Sequence, residues 1–205
     1  MVSKIVEHGV VLIVRLGTFE DIAAVVKEAV DSGIQAIEIT SNTPGYLSGI
    51  KESKLAYPNV LIGAGTVVDC DIAQQAIDAG ADFLVTPNTS QHIVELAHSN
   101  DIPVLMGALT PTEIADALGF GADIIKLFPS SALGSNYLKS LVNGPFNEAR
   151  FFPVGGVSES NIQEWLEAGA AGVGIGGSIV RPLLTDKERY DFSERCKAIL
   201  AKVSL

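Results

Sequence analysis

"PVLMGALTPTEIADALGFGADIIKLFP", residues 103–129, decides the architecture of this chain. It holds two continuous apolar runs, "PVLMGAL" (103–109) and "IIKLFP" (124–129), joined by a helical stretch. Both ends of the helix are written into the sequence. Thr110 stands as N-cap, Pro111 as the first helical residue and Glu113 as the reciprocal capping carboxylate. Gly121 stands where the helix needs a left-handed residue just past its end. Unbroken apolar strands of this kind suit a parallel sheet covered on both faces.

The same unit recurs on both sides of this stretch. Further strand candidates are "VVLIVRL" (10–16), "AIEIT" (36–40), "VLIGAGT" (60–66), "FLVTP" (83–87), "RFFPVGG" (150–156) and "GVGIGG" (172–177), which brings the total to eight. Ile22, Val25, Val26, Ala29 and Val30 keep the spacing of one helix face. Asp69, Ser90 and Ser158 read as further N-caps. Gly33, Gly80 and Gly169 end helices as Gly121 does. No linker, low-complexity stretch or charge block divides the chain. The expectation is therefore α/β, a (β/α)8 TIM barrel forming a single domain over residues 1–205. Eight strands argue against a doubly wound open sheet, which typically has fewer.

Glycine punctuation also sets a register. Gly33, Gly80, Gly121 and Gly169 each precede an even-numbered strand by the same few residues. Glu38 lies five residues after Gly33, and Lys126 five after Gly121. Strands 2 and 6 oppose each other in an eight-stranded barrel, and alternate strands share an interior layer. Glu38 and Lys126 should thus point at each other near the C-terminal face, which gives the buried lysine a carboxylate partner. A lysine in an apolar barrel mouth has its charged form penalised, so part of it is free amine. A free amine attacks carbonyls to form a Schiff base, the electron sink that carbon–carbon cleavage needs. Glu38, its own pKa raised by burial, suits the proton shuttle.

Composition narrows the partners. The chain has 205 residues, 47% hydrophobic content and a net charge of −10. The acidic surface argues against nucleic acid or an anionic membrane as a general partner. It leaves room for a phosphorylated small molecule, which backbone N–H groups can hold. Cys70 and Cys196 match no metal or redox spacing and read as reduced thiols of a cytoplasmic protein. The start "MVSKIVEHGV" lacks the apolar core of a signal peptide, and no apolar run is long enough to span a bilayer. His8, His92 and His98 fall in helices or helix starts, away from strand ends, and no His/Asp/Glu cluster at strand ends suits a metal.

Two further groups suit a substrate. Arg15 ends the first strand and can bind a carboxylate through paired hydrogen bonds. "VGGVS" (154–158) and "GIGGSIV" (174–180) put glycines after the last two strands, each before an expected helix. Barrels often bind phosphate in those two loops. Glycine lets the backbone approach an anion closely, and Ser178 adds a hydroxyl.

At these residues the chain resembles the 2-keto-3-deoxy-6-phosphogluconate (KDPG) / 4-hydroxy-2-oxoglutarate (KHG) aldolases. The resemblance rests on "IEIT" with Glu38, "IGAGTV" with Thr66, "VTPN" with Pro87, "IKLFP" with Lys126, "VGGV" and "GGS". It implies a trimeric class I aldolase without metal or cofactor. Such an enzyme splits a six-carbon 2-keto-3-deoxy-6-phospho acid into pyruvate and glyceraldehyde 3-phosphate. Lys126 would match the Schiff-base lysine and Glu38 the acid/base. Thr66 and Pro87 would line the pyruvate pocket, and Gly155, Gly156, Gly177 and Ser178 would hold the phosphate. Two departures bear on the substrate. Asn42 stands where some phosphogluconate members carry arginine, a contact Arg15 can take over. Val154 stands where many of them have threonine, and "VTPN", "FPSSALG" and "VGGV" look more like members acting on the galactonate epimer. The alternatives are a phosphate-binding barrel that epimerises or isomerises sugar phosphates, and a non-catalytic sugar-phosphate-binding barrel.

Overall fold

The computed structural model describes residues 1–203. Eight strands form one parallel sheet: β1 (Val10–Val14), β2 (Ala36–Thr40), β3 (Leu61–Gly65), β4 (Leu84–Val85), β5 (Val104–Ala108), β6 (Ile124–Leu127), β7 (Phe151–Pro153) and β8 (Val173–Ile175). The ladder runs from β7 through β6 down to β1 and on to β8. A bridge from Val154 to Gly174, with the Ala171 N–H bonded to the Phe151 carbonyl, joins β7 back to β8. The fold is a (β/α)8 barrel, as the strand count predicts.

The helices follow in alternation: α1 (Val2–His8), α2 (Glu20–Asp31), α3 (Tyr46–Ala56), α4 (Cys70–Asp78), α5 (Gln91–His98), α6 (Pro111–Gly119), α7 (Ser135–Val142), α8 (Ile162–Glu167) and α9 (Asp186–Val203). The capping box at Thr110 is complete, with Glu113 bonded back to the Thr110 backbone. Asp69 accepts from the Ile72 N–H at 2.8 Å. Ser90 occupies the N-cap position of α5 without a side-chain bond. Gly33, Gly80, Gly121 and Gly169 all have left-handed φ, between 91° and 99°.

Two apolar layers hold the barrel. Between sheet and helices lies the larger core, with Leu12, Ile37, Ile62 and Ile125 of the strands fully buried against helix residues such as Ile22, Ile93 and Ile114. Inside the barrel, Val11, Ala36, Phe83, Leu105, Ile124 and Phe152 pack with Ile5 of α1. Helix α1 thereby closes the floor, and each large side chain buried there contributes about 1.5–3 kcal/mol. Gly63 and Gly172 make room for the Phe83 and Phe152 rings, which would overlap any Cβ at those positions.

The structure corrects three local expectations. Several strands stop before their apolar runs do: "FLVTP" pairs only through Leu84–Val85, and "IIKLFP" ends at Leu127. Arg15, Thr66, Pro87 and Phe128 leave the ladder to line the mouth of the barrel. Ser158 does not cap α8. That helix begins at Ile162 with Asn161 before it, and the Asn161 side chain accepts from the Ser158 N–H at 2.8 Å. Finally, "GGSIV" does not open a helix. The chain makes one turn, in which the Ile179 and Val180 N–H groups share the Gly176 carbonyl, and α9 starts only at Asp186.

Candidate active site

A cavity of about 630 Å³ opens at the C-terminal ends of the strands. Inward-facing positions at this level are unusually small. Gly65, Gly107 and Gly174 leave room that cavity residues take up, since a Cβ at those positions would overlap the Glu38 carboxyl, the Pro87 backbone and the Val154 side chain. Lys126 and Glu38 lie at its walls, 5% and 2% exposed. They occupy the same register on opposed strands: Lys126 pairs with Gly107 and Phe152, and Glu38 with Ile13 and Gly63.

The expected direct pairing is replaced by a looser one. Among the described residues, no ion pair joins Lys126 to Glu38. The reason is Gly65, on the neighbouring strand. The Glu38 side chain lies over the space a Cβ at Gly65 would fill, so it leans sideways along the wall. Lys126 Nζ rests 5.0 Å from the centre of the Phe128 ring, a cation–π distance. Phe128 was not singled out from the sequence, although its i+2 spacing from Lys126 puts both on one face.

Burial and nearby charges act on both groups. Burial pushes the Lys126 pKa down; the nearby Glu38 carboxylate opposes this and Arg15 adds to it. Burial pushes the Glu38 pKa up, against the pull of Lys126 and Arg15. The two groups approach each other in proton affinity, as proton exchange during a reaction requires.

Arg15, just past β1, donates to the Thr66 hydroxyl at 3.2 Å. Thr66 holds a left-handed backbone at φ 57°, unusual for a β-branched residue. Ser41 secures it by donating to the Thr66 carbonyl at 2.8 Å. Pro87 is fixed by its neighbour: the Thr86 hydroxyl donates to the Asn88 carbonyl at 2.7 Å and accepts from the Gly107 N–H at 3.0 Å. Asn42 also faces the cavity.

The far wall carries Val154, Gly155 and Gly156, with Gly177 and Ser178 from the next loop. Gly155 and Gly156 have φ of 87° and 86°, which only glycine adopts readily. Among the described residues, the N–H groups of Gly156, Gly177 and Ser178 donate to no backbone carbonyl, whereas the Gly155 N–H faces the Gly174 carbonyl across the bridge between β7 and β8. Two glycine-rich turns thus meet at one cavity wall, a geometry that suits an anion. All the residues singled out from the sequence thus share one cavity. Ser130 and Ile13, which help shape it, were not singled out.

Other candidate groups lie elsewhere. His8 accepts from the Gln35 N–H at 3.0 Å, and His98 pairs with Asp123 at 2.9 Å. Burial pushes the Cys196 thiol up to about 12, which leaves it unreactive.

Comparison with known proteins agrees with this geometry. A family described as KDPG and KHG aldolase matches residues 1–196. The chain is 36% identical over 172 residues to a 2-dehydro-3-deoxy-6-phosphogalactonate aldolase of Escherichia coli, covering 83% of this chain and 84% of that protein. A solved structure described as native KDPGal superposes with a TM-score of 0.87 at 33% identity, covering 94% of this chain and 93% of that one. A KDPG aldolase from Legionella pneumophila, solved with pyruvate captured as a covalent carbinolamine, superposes with a TM-score of 0.80 at 25% identity, covering 100% and 97%.

Proposed function

This chain belongs to the KDPG and KHG aldolase family, and from that premise we propose how its own residues break the carbon–carbon bond. The enzyme is a Schiff-base aldolase, a lyase that releases pyruvate and an aldehyde. The whole chain, residues 1–205, acts as one aldolase domain.

Lys126 is the nucleophile. Its amine adds to the C2 ketone of a 2-keto-3-deoxy-6-phospho sugar acid to give a carbinolamine, which loses water to form an iminium ion. Glu38, through a water, takes the proton from the C4 hydroxyl. The C3–C4 bond then breaks: its electrons move to the iminium nitrogen, and C4 departs as the aldehyde. Glu38 returns the proton to C3 of the enamine. Water hydrolyses the pyruvyl iminium and frees Lys126. The observation that carries this reading is a buried lysine of lowered pKa facing a buried carboxyl of raised pKa across an open cavity.

Arg15 and Thr66 bind the substrate carboxylate, with Pro87 closing the pyruvate end. Gly155, Gly156, Gly177 and Ser178 bind the phosphate. The stretches "VTPN", "FPSSALG" and "VGGV" and the 36% identity to a phosphogalactonate aldolase support the galactonate epimer, while Val154, without a hydrogen-bonding group, cannot select an epimer by hydrogen bonding. The working unit is a homotrimer, a reading supported by family resemblance. Light scattering tests it against the chain mass of 21.5 kDa. We place the enzyme in the cytoplasm, where Cys70 and Cys196 stay reduced.

Incubation with pyruvate and borohydride, then peptide mass spectrometry, tests the mechanism. A reduced pyruvyl adduct on Lys126 is the expected result. No adduct on a folded protein overturns it. Relative kcat/KM for the two epimers tests the substrate preference.

A further inference from the structure

We propose that Ser130 is a positioning residue that aims the phosphate-binding peptide groups of the β7 loop and so sets the preference for phosphorylated substrates. The inference rests on the aldolase reading and on phosphate binding at Gly155 and Gly156.

Ser130 lies four residues after Lys126 and is 1% exposed. Its hydroxyl is 3.0 Å from the Val154 carbonyl and 2.8 Å from the Gly155 carbonyl. Its own N–H donates to the Val154 carbonyl at 2.9 Å, and the Ser131 N–H donates to the Gly155 carbonyl at 2.9 Å. Two successive carbonyls are therefore held by one short segment. In a trans peptide the C=O and N–H of a plane point in opposite directions. Holding the Val154 carbonyl on Ser130 turns the Gly155 N–H the other way, and holding the Gly155 carbonyl turns the Gly156 N–H. The Gly155 N–H thereby faces the Gly174 carbonyl across the bridge to β8, while the Gly156 N–H, at the cavity wall, donates to no backbone carbonyl among the described residues and is the donor the clamp aims.

The hydroxyl adds a bond at each carbonyl beyond what the backbone supplies. Backbone donors alone supply one bond to Val154 and one to Gly155. Both glycines have positive φ and can turn over readily without restraint. The single Ser130 proton is shared between the two carbonyls and ties their planes together. The same segment also ends β6, so the phosphate cradle and the reactive lysine are held in one frame.

The test compares Ser130→Ala with the unmodified enzyme on a phosphorylated 2-keto-3-deoxy acid and its unphosphorylated counterpart. Loss of one buried hydrogen bond should lower kcat/KM for the phosphorylated substrate about tenfold more than for the unphosphorylated one. Inorganic phosphate should inhibit the variant more weakly. Ser130→Cys, which keeps a weak donor of similar size, should recover part of the preference. An equal loss on both substrates, or an unchanged preference, overturns the proposal. Pyruvate–borohydride labelling runs in parallel. Labelled Lys126 with unchanged preference defeats the clamp alone, whereas an unlabelled Lys126 in the unmodified enzyme defeats the aldolase mechanism beneath it. Should the alanine variant fail to fold, the cysteine variant carries the same comparison.

Discussion

The Glu38 carboxylate occupies the space that a side chain on Gly65 would need: a Cβ there would overlap Glu38 Oε1. The acid/base group is therefore positioned by an absence on the neighbouring strand. Gly65→Ala should displace the carboxyl while leaving Lys126 in place. We expect kcat to fall by about 10²-fold, the lower range for a lost general acid–base, with pyruvate–borohydride labelling of Lys126 retained. An unchanged kcat would remove Glu38 from the proton shuttle.

Lys126→Met should abolish turnover without lowering thermal stability. Burying an ammonium costs free energy that a well-packed apolar side chain of similar volume does not. Calorimetric unfolding checks the second half of this prediction; a large drop in Tm would mark Lys126 as a structural anchor.

Stability should depend on pH in two opposed ways. The folded pKa of Glu38 is raised above 4.5, so its contribution is fully present below 4.5 and is lost as pH rises through the folded value. The folded pKa of Lys126 is lowered from 10.5, so its penalty is complete below the folded value and is relieved as pH rises toward 10.5. Glu38→Gln should flatten the acidic part of a Tm-against-pH curve and spare the alkaline part. A curve with its acidic slope intact would contradict this assignment.

Arg15→Met should raise KM for the 2-keto acid by about tenfold or more, because a charge-assisted contact is lost. It should also move the rising limb of the kcat/KM profile to higher pH, since Arg15 helps depress the Lys126 pKa. A weaker KM with an unmoved profile would limit Arg15 to binding.

Thr110→Ala should cost about 1 kcal/mol of stability by opening the capping box of α6, with turnover unaffected. Urea unfolding measures the first and a steady-state assay the second.

Much of this was legible in the sequence, for physical reasons. Helix stops at Gly33, Gly80, Gly121 and Gly169 demand a backbone that glycine alone adopts without strain, so they marked the strands and the register that sets Glu38 opposite Lys126. Less legible was anything decided by competition between near neighbours. Ser158 and Asn161 are both good caps, and only the folded turn selects Asn161. Glycines after β8 looked like a helix entrance, yet the chain there makes a single turn. The missing ion pair between Lys126 and Glu38 depended on Gly65, whose empty side faces the carboxyl only once β2 and β3 are paired. Ser130 gave no signal at all, because its role lies in two carbonyls distant in sequence.

Among the described residues, the bridge between Val154 and Gly174 and one bond from the Ala171 N–H to the Phe151 carbonyl close a hoop that is laced by a longer ladder at most other joints. Such a hoop has a clasp. When it strains or breathes, it parts first where it is least sewn, and this clasp lies beside the loops that meet the phosphate. Amide hydrogens along β7 and β8 should therefore exchange with solvent faster than those of β2 and β3. A phosphorylated ligand spanning both loops would act as a second stitch and slow that exchange. Val154 is both a wall of the cavity and half of the clasp, so a substitution there alters what the enzyme selects and how tightly its ring is fastened.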